Sequence, residues 1–305
     1  MKVRGHNMFW GVPNNVPDWV KKLDGNQLNK TIHERIKFIT GLTKGNLEHW
    51  DVNNELLHGQ YFEETTGDPF YSQNLYKAVH EADPHARLFL NDYDVLSMGS
   101  ETDSYVDQAL GFEADKTGLG GIGLQSHFRA YTQPDPTLLK KHLDKLALIG
   151  LPLWITELDL EVKNEKARAD WYEDALRMYF SHPAVHGVIF WGFWDHNMKS
   201  PYAALVNGFN YYVNEAGKRY LHLIKKEWAT HITHNLSNGS SISERAFMGD
   251  YELIVRYKGK PIQYQTFTLA LHKDVIVTIP DNPGIFYLQS SRVWLVSFNV
   301  LPLSR

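Results

Sequence analysis

Cysteine is absent from the 305 residues, which rules out disulfides and thiolate metal sites and leaves stability to a buried apolar core. The compartment stays open, because a chain of this length buries a large core without cross-links. No apolar run approaches the roughly 20 residues that a membrane-crossing helix needs, and membrane attachment is set aside. Runs of Lys or Arg are missing too, and the formal net charge is -4. That balance excludes the basic stripe on which phosphate backbones bind, so nucleic acid is not an expected partner. After Met1-Lys2-Val3-Arg4-Gly5-His6-Asn7 there is no apolar core of a secretory leader, and this start does not read as a signal peptide. Fifteen histidines are present, yet no pair is spaced with a carboxylate as zinc ligands are, and His33-Glu34 lacks a second His four residues on. Gly118 to Gly123 is glycine-rich but leads into a strand, not a helix, so it cradles no phosphate. No metal and no cofactor are expected.

Aromatic residues are abundant, with 9 Trp and 16 Tyr. Flat rings stack on sugar faces in polysaccharide grooves, although most rings of a globular chain pack the interior. Three Asn-x-Ser/Thr triplets, at Asn29, Asn235 and Asn238, would bear glycans only in a secreted protein.

The first 228 or so residues repeat one unit, a short apolar run followed by polar residues, a loop and a helical segment. Six apolar runs are expected as strands: 2–5, 47–52, 87–90, 121–124, 153–156 and 187–190. Helices are expected near 26–40, 70–82, 101–113, 136–149, 165–181 and 216–228. This alternation predicts parallel βα units. Polar residues follow every run: His6-Asn7, Asn53-Asn54-Glu55, Asn91-Asp92-Tyr93, Gln125-Ser126-His127, Glu157, and Trp191 through His196. A doubly wound sheet would gather its site at one switch point. Polar groups after every strand favour a barrel, whose active site lies on the C-terminal face. The expected fold class is therefore α/β, a (β/α)8 TIM barrel. Six units do not close eight strands, so the barrel is expected to be incomplete at its N-terminus. Beyond Trp228, a polar Ser/Asn/Gly linker over 235–243 precedes period-two segments at 251–257, 263–271 and 275–279, with Lys258-Gly259-Lys260 as a hairpin turn. The expected domains are a barrel over 1–228, a β-rich C-terminal extension over 229–280, and a tail over 281–305 without a readable period.

Two glutamates are suited to glycosidic hydrolysis. Retention of anomeric configuration needs two carboxyl groups about 5 to 5.5 Å apart, one protonating the leaving oxygen and one attacking the anomeric carbon. Glu55 ends Trp50-Asp51-Val52-Asn53-Asn54-Glu55, and Glu157 ends Leu153-Trp154-Ile155-Thr156-Glu157; each leaves an apolar run on the expected active face. Asn54 adds an amide able to hydrogen-bond a sugar 2-hydroxyl. Taken singly, each glutamate could be a solvated strand end or a helix cap.

Arg4-Gly5-His6-Asn7-Met8-Phe9-Trp10, Trp50-Asp51-Val52-Asn53-Asn54-Glu55, Gly121-Ile122-Gly123-Leu124-Gln125-Ser126-His127, Ile155-Thr156-Glu157-Leu158-Asp159 and Val188-Ile189-Phe190-Trp191-Gly192 resemble the successive strand motifs of family 10 glycoside hydrolases, the endo-β-1,4-xylanases. The resemblance implies Glu55 as acid/base and Glu157 as nucleophile. It further implies that His6, Trp10, Asn54 and Gln125 line the sugar site beside the scissile bond, that His127 orients the nucleophile, and that Trp191 forms an aromatic floor. Asn91-Asp92-Tyr93-Asp94 and Asp159 read as supports behind these groups. A polysaccharide partner, xylan or a related β-1,4-glycan, and secretion follow by the same resemblance. The chain departs from the pattern in two places: the motif bearing an Asn and a Lys that family members carry earlier is absent, and Lys199 stands where many relatives have a tryptophan. A β-1,4-glucanase with the same site, or an inactive carbohydrate-binding relative, remain alternatives. The β segment from Ala246 onward resembles a short C-terminal extension of plant and animal relatives, read as a docked flap in preference to a separate carbohydrate-binding module.

Overall fold

Helix starts in this chain are written in short polar signals. Asp24 accepts the N–H of Gln27 at 2.9 Å while the Gln27 side chain takes the Asp24 N–H, a reciprocal cap that opens α1, Gly25–Thr43. Below it Leu28, Ile32, Ile36 and Thr40 recur every four residues and form the buried stripe. Asp135 and Pro136 start α5, Pro136–Ala147, and Asn164 caps α6, Glu165–Ser181. The remaining helices of this part are α2, Tyr61–Thr66, α3, Tyr71–Ala82, and α4, Gly99–Ala114.

The computed structural model describes residues 3–236, 243–270 and 275–277, together with the backbone of 284–292. Its first seven strands are β1, Arg4–Trp10, β2, His49–Asn54, β3, Arg87–Asp92, β4, Leu119–Leu124, β5, His127–Arg129, β6, Leu153–Glu161, and β7, Val185–Phe190. β1, β2, β3, β4, β6 and β7 lie side by side in that order, every neighbouring pair parallel, and β5 adds to the far end of β6. Strands alternating with helices in this order make the wall of a TIM barrel, with six strands in the arc. Among the described residues β1 and β7 each pair on one edge only. No helix among these residues is long and apolar enough to cross a membrane.

Space inside the arc is filled by rings opposite glycines. A Cβ on Gly5 would meet the Trp50 ring at 2.2 Å, one on Gly121 the Phe89 ring at 2.2 Å, and one on Gly187 the Trp154 ring at 2.4 Å. Glycine is needed at these strand positions because the neighbouring strand carries the bulk. Helix tyrosines hydrogen-bond strand carbonyls. Buried Tyr76 donates to the Phe89 carbonyl at 2.8 Å, and Tyr105 to that of Gly123 at 2.9 Å. Tyr179 shares a 2.6 Å hydrogen bond with Ser126. Many of the aromatic residues thus serve packing.

Five of the six arc strands are longer than their apolar runs, and β2 is as long as the run 47–52 but lies two residues further on. β1 continues through His6 and Asn7 to Trp10, and β6 through Glu157 to Glu161, so these polar residues lie within strands, not after them. Backbone ladders persist wherever a neighbouring strand is available, whatever the side chains carry. The short helix α2 and strand β5 have no counterpart in the periodicity, being too brief to show one.

Residues up to Ala204 form one compact unit, and those from Leu205 form another. In the second, the strands β8, Val206–Asn207, and β9, Tyr212–Val213, pair as a ribbon. Helix α7, Glu215–His222, follows, capped by Asn214 and extended by a π-turn over Leu223–Glu227. This helix, grouped by the sequence pattern with the barrel repeat, falls on the Leu205 side of the division. A four-stranded antiparallel sheet completes the unit: β10, His231–Leu236, β11, Gly249–Tyr257, β12, Lys260–Leu269, and β13, Gly284–Arg292, in the order β10-β13-β11-β12. Lys258 and Gly259 have φ of 49° and 79°, the pair of positive values that a two-residue hairpin turn requires. Two expectations need correction here. Val275–Val277 carry no strand, and a strand runs instead through 284–292, where no period was legible. Residues 278 and 279, the glycan triplet at Asn238, the central part of the linker, and the tail outside 284–292 lie outside the described residues.

Candidate active site

The C-terminal ends of the barrel strands bring all eight candidate residues into one polar cluster. Glu55 leaves β2 with φ of 58°, and its N–H donates to the Asn91 carbonyl at the end of β3. Its carboxylate accepts the Trp10 indole N–H at 2.8 Å on Oε2 and the Gln125 amide at 3.0 Å on Oε1. Glu157 stands within β6, beside a register irregularity between Ile155 and Leu158 where the β7 pairing slips. Its Oε1 accepts the Asn91 amide at 2.8 Å, and its Oε2 lies 3.3 Å from His127 Nε2. The N–H of Glu157 donates to the Gln125 carbonyl at 3.1 Å, which ties the β4 end to the β6 carboxylate.

Asn91 joins the two carboxylate neighbourhoods. The same Nδ2 donates to Asn54 Oδ1 at 2.9 Å, while Asn91 Oδ1 accepts the Thr156 hydroxyl at 2.5 Å. Asn54 is buried, and its Nδ2 has no hydrogen-bond partner among the described residues. Asn91 proves more central than its place among the supporting residues implied. An amide that donates to Asn54 and Glu157 and accepts from Thr156 uses three of its four hydrogen-bonding sites.

Glu157 sits between two histidines, each backed by a carboxylate and an arginine. His127 Nδ1 bonds Asp159 Oδ1 at 2.7 Å, and Arg129 donates to the same oxygen at 3.0 Å. Burial lowers the proton affinity of His127, but the hydrogen bonds to Asp159 and Glu157 outweigh it and lift its pKa to about 9. The imidazole is therefore cationic at neutral pH, donating to both carboxylates. On the other side His6 Nδ1 bonds Asp51 Oδ2 at 3.0 Å and lies 3.9 Å from Glu157 Oε1. Burial opposes the charge on His6 as well, yet the Asp51 hydrogen bond and the field of Glu157 raise its pKa. Asp51 itself is ion-paired with Arg4; burial alone would raise it, and Arg4 with His6 hold it below its ordinary value. Neither Arg4 nor Arg129 was singled out from the sequence, since a lone charge at the start of β1 or the end of β5 has no distinguishing pattern. The aromatic side of the cluster is Trp191, whose ring meets His6 edge-on at 5.3 Å and His127 at 6.4 Å between centroids. Lys199 is exposed.

Chemically, the arrangement offers two carboxylates held by different donors, a buried amide donor, and an aromatic surface, with cations behind one carboxylate. The model of glycosyl hydrolase family 10 matches residues 1–211. The chain belongs to this family. Endo-1,4-beta-xylanase 2 of Arabidopsis thaliana is 38% identical over 258 residues, covering 84% of this chain and 24% of that protein. Anti-sigma-I factor RsgI6 of Acetivibrio thermocellus is 36% identical over 261 residues, covering 85% of this chain and 33% of that protein. The chain thus spans about a quarter to a third of the length of these relatives. Native xylanase 10B of Thermotoga maritima has the same fold, with a TM-score of 0.67 at 24% identity over 74% of this chain and 75% of that one. Within the family 10 barrel, the side chains of the cluster come from the six strands of the arc, from the turns directly after them, and, for His127 and Arg129, from β5.

Proposed function

We propose that the site hydrolyses internal β-1,4 bonds of xylan with retention of configuration, by double displacement. The observation that carries this reading is the pair of carboxylates gripped by different donors, Glu55 by Trp10 and Gln125, Glu157 by Asn91 and His127. In the first step a Glu157 oxygen attacks the anomeric carbon; the bond to the leaving oxygen breaks, and that oxygen takes the Glu55 proton. In the second, water attacks the same carbon, gives a proton to Glu55, and displaces Glu157. His127 and Asn91 fix the direction of the Glu157 lone pairs. Asn54 Nδ2, without a protein acceptor, donates to the sugar 2-hydroxyl, and Trp191 packs beneath the ring. Xylan is favoured over glucan by the names of the Arabidopsis relatives.

Replacing Glu157 by Ala tests the assignment. Xylan cleavage is expected to fall by at least about 1,000-fold, with partial rescue by azide, which occupies the vacated space and attacks in place of the carboxylate. Retained activity without azide removes Glu157 from the role. Rates on xylan and on soluble cellulose, measured side by side, decide the substrate.

A further inference from the structure

The turn that presents Glu55 is held from both sides. Residues 55–58 form a turn closed by the His58 N–H donating to the Glu55 carbonyl at 3.0 Å, and Glu55 lies in the left-handed region, which a residue with a Cβ occupies only under constraint. On the β1 side Gly59 presses so near Val12 that a Cβ there would lie 2.4 Å from the Val12 Cα. The Tyr61 N–H donates to the Gly11 carbonyl at 3.0 Å. On the β3 side the anchor is the carboxylate of Asp92, which is wholly buried. Its Oδ2 accepts the Leu57 N–H at 2.8 Å; its Oδ1 accepts the Tyr93 N–H at 2.9 Å and bonds His58 Nδ1 at 2.6 Å. The His58 ring stacks on Tyr93 with centroids 3.7 Å apart, and its Nε2 faces Glu101 at 4.0 Å.

Burial raises the pKa of Asp92 above its ordinary value, and the hydrogen bonds from His58, the Leu57 N–H and the Tyr93 N–H act against that rise. Burial opposes a charge on His58, but the Asp92 hydrogen bond and the fields of Asp92, Glu101 and Asp94 raise its pKa above the ordinary value. The two residues that Asp92 grips through Leu57 N–H and His58 Nδ1 are those that close the Glu55 turn. Trp10 and Gln125 hold the far end of the Glu55 side chain only if the turn delivers it to them.

We propose that the His58–Asp92 pair is a positioning device for the acid/base: it holds the Glu55 turn in the conformation from which the carboxyl reaches the glycosidic oxygen. The proposal rests on the glycosidase reading above. The proton passes from Glu55 to the leaving oxygen as the C1–O bond breaks and a Glu157 oxygen bonds to C1. A mispositioned Glu55 therefore harms substrates whose leaving group needs that proton and spares those whose leaving group does not.

The test compares kcat/KM, which reads the first displacement, on xylan and on 2,4-dinitrophenyl β-xylobioside, whose phenolate leaves unprotonated. His58→Leu removes the donor to Asp92, and His58→Asn keeps one near the place of Nδ1. His58→Leu is expected to lose at least about tenfold on xylan and less than about threefold on the aryl glycoside, with His58→Asn recovering to within about threefold of the unsubstituted chain on xylan. Asp92→Asn, which keeps an acceptor for Leu57 but loses the charge, should show the same selective loss and serves if His58→Leu fails to fold. Equal losses on both substrates, or none, overturn the positioning role while the glycosidase reading stands. If the unsubstituted chain cleaves neither substrate, both fall together.

Discussion

His127 makes the stability of the barrel unit depend on pH in a direction the structure fixes. Its pKa rises from 6.5 to about 9 on folding. At about 1.36 kcal/mol for each unit, the native interactions of the imidazolium with Asp159 and Glu157 contribute about 3 kcal/mol over those of the neutral ring. The side chain is 16% exposed, so solvent screening removes little of this. A folded pKa above the unfolded one means that the native state binds more protons between the two values. The contribution is thus complete below pH 6.5 and disappears as the pH rises through about 9. The perturbation is His127→Gln, which keeps an amide donor and cannot carry charge. Urea unfolding of both proteins at intervals from pH 6 to pH 10 gives the stability difference at each pH; titrations elsewhere, His6 included, largely cancel in it. The difference should shrink by about 3 kcal/mol across that range. A difference that is constant, or that grows with pH, refutes the reasoning.

Gly121→Ala places a Cβ 2.2 Å from the Phe89 ring between two central strands. It should destabilise by about 1–3 kcal/mol, whereas Gly41→Ala on α1, with nothing within 4 Å, should be neutral or stabilising; thermal melts of the two compare them directly. Asn54→Ala removes the unpartnered buried donor and should lower kcat/KM on xylan by about 10- to 100-fold, and a loss under about threefold would remove Asn54 from transition-state binding.

Much of the architecture was legible because parallel strands buried on both faces are rich in apolar residues. β3 and β4 announce themselves as short apolar runs, whereas β2 buries His49, Asp51, Asn53 and Asn54 beside Trp50 and Val52; helices such as α5 and α6 are marked by Asp135-Pro136 and Asn164 at their starts. Strand ends were less legible, since β1 and β6 run on through His6 and Glu157 on the strength of backbone pairing that leaves no trace in hydrophobicity. The strand at 284–292 was missed for a related reason: it pairs on both sides with β10 and β11, and such pairing does not require strict alternation.

The sequence by itself determined which residue types would meet at the strand ends, the two glutamates above all, because in a βα repeat the polar residue after each apolar run has only one face on which to emerge. Only the tertiary structure decided who holds whom. That Asn91 donates to Glu157 and Asn54, that Arg4 stands behind Asp51 and His6, and that His58 hydrogen-bonds Asp92 beneath the Glu55 turn are pairings between residues 34 to 66 positions apart. Such distances along the chain carry no periodic signal; strand register and the curvature of the barrel wall set them.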